Sequence, residues 1–206
     1  MECIERNHEL CFAQHLKCLD NERYIEKFFL YSVSPVLARV KPSTLICFRH
    51  CCKSAWLKQK RRLCFATGLN VIELHDGRCS FSVLAYDNRL LSSHTENSKA
   101  QNILAQHGYP ASKRLPDLLT YLKSRFSVSK YPHEIGVFLG YPPDDVSSFI
   151  ANGGKDFLCC RYWKVYHHEQ KALETFRFID EARSQAISLL TQQIPINAVA
   201  KILKAI

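Results

Sequence analysis

Apolar positions recur along this chain with two different spacings, and the changes from one to the other mark out its elements. Residues 5–19 carry a helical spacing that breaks at Asp20-Asn21. A second helix is expected over residues 22–31, because Ile25, Phe28 and Phe29 follow the i, i+3, i+4 rule that places side chains on one face. Ser34-Pro35 predicts a further short helical turn with proline at its first position, and Lys41-Pro42 ends it. Residues 44–48 form a β-rich apolar run and are expected as a strand. Residues 53–67 predict a helix, with Gly68 as its C-terminal stop. Two strands over residues 70–75 and 80–86 flank Asp76-Gly77, a strong hairpin turn signal.

The second half is mainly helical in pattern. One helix is expected over residues 89–107, stopped by Gly108, and another over 115–126 with Pro116 in its first turn. Residues 132–139 predict a short helix closed by Gly140-Tyr141-Pro142-Pro143, and 144–151 another closed by Asn152-Gly153-Gly154. Residues 158–166 alternate and are rich in aromatics, which predicts a strand. A long helix over 169–193 and a short one over 196–206, after Pro195, complete the chain. Three or four strands among many helices imply a single layered α/β or α+β domain, with a small mixed sheet that includes a hairpin. No internal repeat is visible. The expected organisation is a helical extension over 1–22, a core over 23–185 and a helical tail over 186–206.

Composition changes this picture little. The 206 residues, 47% of them hydrophobic, suffice for one substantial core. No apolar run approaches the roughly 18 to 20 residues needed to span a bilayer. The start, Met1-Glu2-Cys3-Ile4-Glu5, lacks the basic and apolar regions of a secretory signal, so a cytoplasmic protein without membrane partners is expected. In that compartment the ten cysteines are expected to be reduced. None has CxxC spacing, and the vicinal pairs Cys51-Cys52 and Cys159-Cys160 do not suit one chelate, which disfavours a zinc ribbon. The net charge of +9 favours anionic partners without choosing among them.

Two segments go beyond generic patterning. Tyr131-Pro132-His133-Glu134-Ile135-Gly136-Val137-Phe138-Leu139-Gly140-Tyr141-Pro142 is followed by Asp145-Val146 and Phe149-Ile150, and then by Arg161-Tyr162-Trp163-Lys164-Val165-Tyr166. Together they resemble the signature of the bacterial domain-of-unknown-function family numbered 3793. The stretch from Ser34-Pro35 through Arg39-Val40-Lys41-Pro42 to Leu45 resembles its opening motif, and His107-Gly108-Tyr109-Pro110 its middle. The resemblance spans roughly residues 24–185. It departs at Arg39, where a small residue or glycine is common, and at Arg161, where glycine is. It implies a shared fold and an association with iron or redox functions, and it implies no reaction.

Several constellations carry candidate chemistry. His133 is a candidate general acid/base and Glu134 its carboxylate partner, since an imidazole shuttles protons near neutral pH. Adjacent positions on a helix diverge by about 100°, however, and a carboxylate in a first helical turn is also explained by the helix dipole. On a strand, Tyr162, Lys164 and Tyr166 share one face and Trp163 the other. With Tyr141, these residues are candidate ligand contacts for a planar anion such as a nucleotide or flavin, against the plainer account of Trp163 in the core and a solvated Lys164.

Ile4, His8, Cys11, His15 and Cys18 form a helical stripe. Its Cys and His residues span about 15 Å and cannot converge on one tetrahedral metal. Packing of small thiols into the core is expected over a two-ligand site at His8 and Cys11, or at His15 and Cys18, completed from elsewhere, and no metal site is assigned. Lys53, Lys58, Lys60, Arg61 and Arg62 make the helix over 53–66 basic, but no nucleic-acid fold signature accompanies it.

The expectation is therefore an accessory or ligand-binding domain linked to iron or redox metabolism, whose partner is an anionic small molecule or a redox protein. The alternatives are an enzyme using His133 and a nucleic-acid-binding module using the basic helix. No cofactor is specified.

Overall fold

The computed structural model describes residues 2–112, 114–128, 131–192 and 194–205, with side chains from residue 9 onward. Its elements in chain order are α1 (Glu2–Lys17), α2 (Asn21–Leu37), β1 (Ser43–Arg49), a short 3-10 turn (His50–Cys52), α3 (Lys53–Thr67), β2 (Asn70–Asp76), β3 (Ser80–Tyr86), α4 (Asn88–Thr95) and α5 (Ser98–Gln106). There follow α6 (Leu115–Val128), α7 (Ile135–Phe138), α8 (Pro143–Ala151), β4 (Cys159–Cys160), β5 (Lys164–Val165), α9 (Glu169–Thr191) and α10 (Ile196–Leu203).

The expected layered class holds: a small sheet containing the Asp76-Gly77 hairpin is covered by helices. The strand order is β1-β3-β2 and every pairing is antiparallel, with Phe48 opposite Phe81 and Ile46 opposite Val83. The central strand β3 is buried from Phe81 to Ala85, because successive residues serve opposite faces and both faces are covered. On one face Phe81, Val83 and Ala85 join Ile46, Phe48 and Trp56 in a core shared with α2, α3, α9 and α10. On the other, Leu84 joins Leu74 in a second core with residues of α4 to α8. Trp163, Val165, Ala172, Phe176 and Ile179 form a third, smaller cluster where β5 meets α9.

Where elements differ from the sequence expectation, the cause is local. Ser34-Pro35 does not start a new helix but lies in the last turns of an unbroken α2. Pro35 denies the Tyr31 carbonyl its N–H, and the Ser34 hydroxyl donates to that carbonyl instead, at 2.8 Å. The helix expected over 89–107 is two helices, because the Asn97 side chain accepts from the Lys99 and Ala100 N–H groups and caps α5. The short helix expected over 132–139 contracts to the four residues of α7.

The aromatic segment 158–166 is a hairpin, not one strand. Cys159 pairs with Val165 and Cys160 with Lys164, around a turn in which the Arg161 N–H donates to the Trp163 carbonyl at 3.2 Å. Pairing the segment with itself satisfies backbone groups that a lone strand would leave open.

The N-terminal stripe also faces the other way. Cys11, His15 and Cys18 are exposed, whereas Phe12 and Leu16 are buried against the first core. Larger side chains gain more by burial and set the rotation of α1, which corrects the expectation of core thiols. The side chains of Ile4 and His8 lie outside the described residues. Among the described residues no cluster of three or more His, Cys, Asp and Glu could hold a metal ion, and no helix is long and apolar enough to cross a membrane.

Candidate functional site

The segments singled out by motif come together around α7 and α8. The loop Lys41-Pro42-Ser43 lies against the end of α7, where the buried Ser43 hydroxyl donates to the Phe138 carbonyl at 2.6 Å. Gly140 follows with φ +77, and a side chain there would run into the Pro42 ring, so both its backbone and its surroundings require glycine. Lys41 Nζ lies over the Tyr141 ring, 5.4 Å from its centroid. On α8, Asp145 is 2% exposed and accepts three hydrogen bonds, from Trp163 Nε1 at 2.9 Å and from the N–H groups of Tyr166 and His167 at 2.9 and 2.8 Å. The Tyr141 hydroxyl donates to the Tyr162 carbonyl at 3.1 Å. Asp145 and Tyr141 thus clamp the aromatic hairpin onto the α7–α8 region.

Between the hairpin and these helices lies a cavity of about 350 Å³. Apart from Asp145, its buried lining is apolar, with Ile135, Gly136, Leu139, Val146 and Trp163, and Leu45 from the sheet. Trp163 stacks on Tyr141 with ring centroids 5.2 Å apart and meets Phe176 edge-on at 4.4 Å, so its position is fixed from several sides. Burial pushes the Tyr141 hydroxyl up to about 12, against the nearby Arg183 charge, and keeps it neutral at physiological pH.

The edge of the cavity is polar. His133 is exposed, packs its ring edge-on against Phe149 at 5.2 Å, and makes no hydrogen bond through its imidazole among the described residues. Lys164 Nζ donates to the Gly154 carbonyl at 2.6 Å and lies 4.8 Å from the Phe157 ring centroid, with no carboxylate partner among the described residues. Arg161 also lines the cavity, but its guanidinium is paired with Asp180 at 3.0 Å.

Of the residues expected at a site, His133, Tyr141, Tyr162, Trp163 and Lys164 line this one cavity, whereas Glu134 and Tyr166 do not. Glu134 is 1% exposed, and its carboxylate accepts from Arg125 Nε at 2.8 Å and from the Tyr109 hydroxyl at 3.4 Å. It therefore forms no pair with His133. The Arg125 ion pair, not a place in a first helical turn, accounts for its burial, since α7 begins only at Ile135.

Tyr166 falls beyond the hairpin strand, so the face it was expected to share with Tyr162 and Lys164 is broken. Its N–H is held by Asp145, and its buried hydroxyl has no partner in the structure. The Tyr162 hydroxyl donates to Asp180 and receives Arg183 Nη1 at 3.3 Å.

Sequence reasoning missed Asp145, Val146 and Phe149. Their spacing places them together on α8, and they stood in the quoted motif beside the expected residues. Four of the five basic residues of α3 are paired with carboxylates. Lys53 reaches Glu73 at 2.9 Å and Asp76 at 3.3 Å, Lys60 reaches Glu73 at 3.1 Å, Lys58 reaches Glu22 at 3.4 Å, and Arg62 pairs with Glu26.

Fold and site define a helix-covered antiparallel domain with an aromatic-walled cavity whose edge carries uncompensated basic groups. The chain belongs to the family described as Protein of unknown function (DUF3793), whose model matches residues 29–200. No curated protein and no solved structure matches it.

Proposed function

We propose that this domain binds a small planar anion in the cavity, its ring system against Tyr141 and Trp163 and its charge at Lys164 and His133. One observation carries the reading. The cavity is apolar and aromatic inside, while the basic groups at its edge without a carboxylate partner are Lys164 and His133. Pockets that hold small molecules share this division, with apolar walls supplying affinity and a few polar groups fixing orientation. The buried acid in the lining, Asp145, has its carboxylate oxygens taken up by three donors from the aromatic hairpin and the residues after it. A link to iron or redox metabolism enters this reading through the ligand, because a flavin meets the same description.

Anilinonaphthalene sulfonate, an aromatic anion, is the probe for this proposal. The protein is expected to bind it saturably with enhanced fluorescence. Lys164→Met should weaken binding about tenfold, the worth of one charge-assisted contact, while circular dichroism stays unchanged. Absence of saturable binding, or binding that Lys164→Met leaves untouched, would refute the assignment.

A further inference from the structure

On the other side of the Lys41–Tyr141 contact is a second recess, of about 320 Å³, lined by Arg39, Lys41, Ser93, His94 and Asn97 among others and by none of the residues of the first cavity. No carboxylate lines it. Neither Arg39 nor Lys41 forms an ion pair among the described residues, in contrast to Lys53, Lys58, Lys60 and Arg62 of α3. Lys41 is half-buried, and burial together with the like charge of Arg183 pushes its ammonium down to about 8. A desolvated cation whose charged neighbour is another cation is costly unless an anion offsets it.

Three further features point the same way. Nε2 of His94 is buried without a partner. The Asn97 carbonyl oxygen is used in capping α5, which leaves its amide N–H groups as the donors available to the recess. Arg39, which lines the recess, has a left-handed backbone, φ +57, a conformation that costs a side-chain-bearing residue roughly 1 kcal/mol.

We propose that this recess binds a tetrahedral oxyanion, as free phosphate or as the phosphoryl group of a small metabolite, between Arg39 and Lys41. Two cations with hydroxyl, amide and imidazole donors exceed what a carboxylate can accept and match the three oxygens and double charge of a phosphoryl group.

The test is protection of Lys41 from acetylation, read by mass spectrometry at about pH 8, where its amine is partly free. Sulfate, inorganic phosphate and glycerol phosphate should each protect Lys41 saturably. Sodium chloride at equal ionic strength should not, and acetate should do so far less well. Stronger protection by glycerol phosphate identifies a phosphorylated metabolite as the source, and stronger protection by phosphate the free ion.

Arg39→Ala, a change at an exposed residue, should raise the half-protecting sulfate concentration about tenfold. Lys164→Met, in the other cavity, should leave it unchanged. Calorimetric titration with sulfate reads the same binding if the reagent fails to reach the amine. Equal protection by chloride or acetate, no heat on titration, or indifference to Arg39→Ala overturns the proposal.

Discussion

Helix α3 and the two cavities both gather basic side chains, and they treat them in opposite ways. On α3, Lys53 and Lys60 converge on Glu73, Lys58 meets Glu22 and Arg62 meets Glu26, so most of the basic stretch is neutralised by carboxylates from α2 and β2. Arg39, Lys41, His133 and Lys164 line the cavities with no such partners among the described residues. Density of lysine and arginine in sequence therefore does not locate the cations left without carboxylate partners. A phosphate approaching α3 would compete with carboxylates already in place, whereas an anion at the cavities would find cations that have no carboxylate to release. Satisfied polar groups should show up as stability, and open ones as binding.

The largest effect is expected at Asp145. Removing its carboxylate strands Trp163 Nε1 and two backbone N–H groups in a site that is 2% exposed. Asp145→Ala should cost about 3–5 kcal/mol by urea denaturation, because each unpaired buried donor carries its full desolvation penalty. A loss below about 1 kcal/mol would show that the hairpin is held by the Trp163–Phe176 packing alone.

Glu73 comes next, as the hub of the α3 network. Burial alone would raise its carboxyl, but hydrogen bonds from Lys53, Trp56 and Lys60 more than reverse this and hold it at about 2, against an ordinary 4.5. Because the folded value is the lower one, the stabilisation is complete above about pH 4.5 and is lost as pH falls towards about 2. Between about pH 5 and pH 2.5 the protein should lose on the order of 2 kcal/mol that Glu73→Gln does not lose. Parallel pH profiles would remove the contrast between the two regions.

How much of this was legible beforehand follows from what each feature depends on. Gly68 ends α3 with φ +67 and Asp76-Gly77 joins β2 to β3, because cap and turn chemistry is local. The continuity of α2 through Pro35 was not legible, because it rests on one serine hydroxyl filling the place of the missing N–H. The hairpin within 158–166 was read as a strand because alternation is the same for a strand and for a tight hairpin whose turn residue, Trp163, is drawn inward by Asp145. At the site, the motif residues His133, Tyr141, Trp163 and Lys164 could be named from sequence. Lys41, Arg39 and His94 could not be joined as one recess, because α4 and the loop after α2 meet only in the folded chain.

The smallest expected change in stability carries the sharpest test, since it separates two adjacent residues. Glu134 is buried in an ion pair with Arg125, while His133, one residue earlier, is exposed and bonded to nothing among the described residues. The pair His133-Glu134 therefore straddles the boundary between scaffold and site. His133→Ala removes an edge contact with Phe149 and no hydrogen bond, so its effect on unfolding should stay within about 0.5 kcal/mol. The same substitution takes one of two open basic groups from the cavity edge and the ring that borders Phe149. Binding of anilinonaphthalene sulfonate should fall several-fold. If His133→Ala destabilises the fold by more than about 1 kcal/mol, or leaves binding unaltered, His133 belongs with Glu134 to the scaffold.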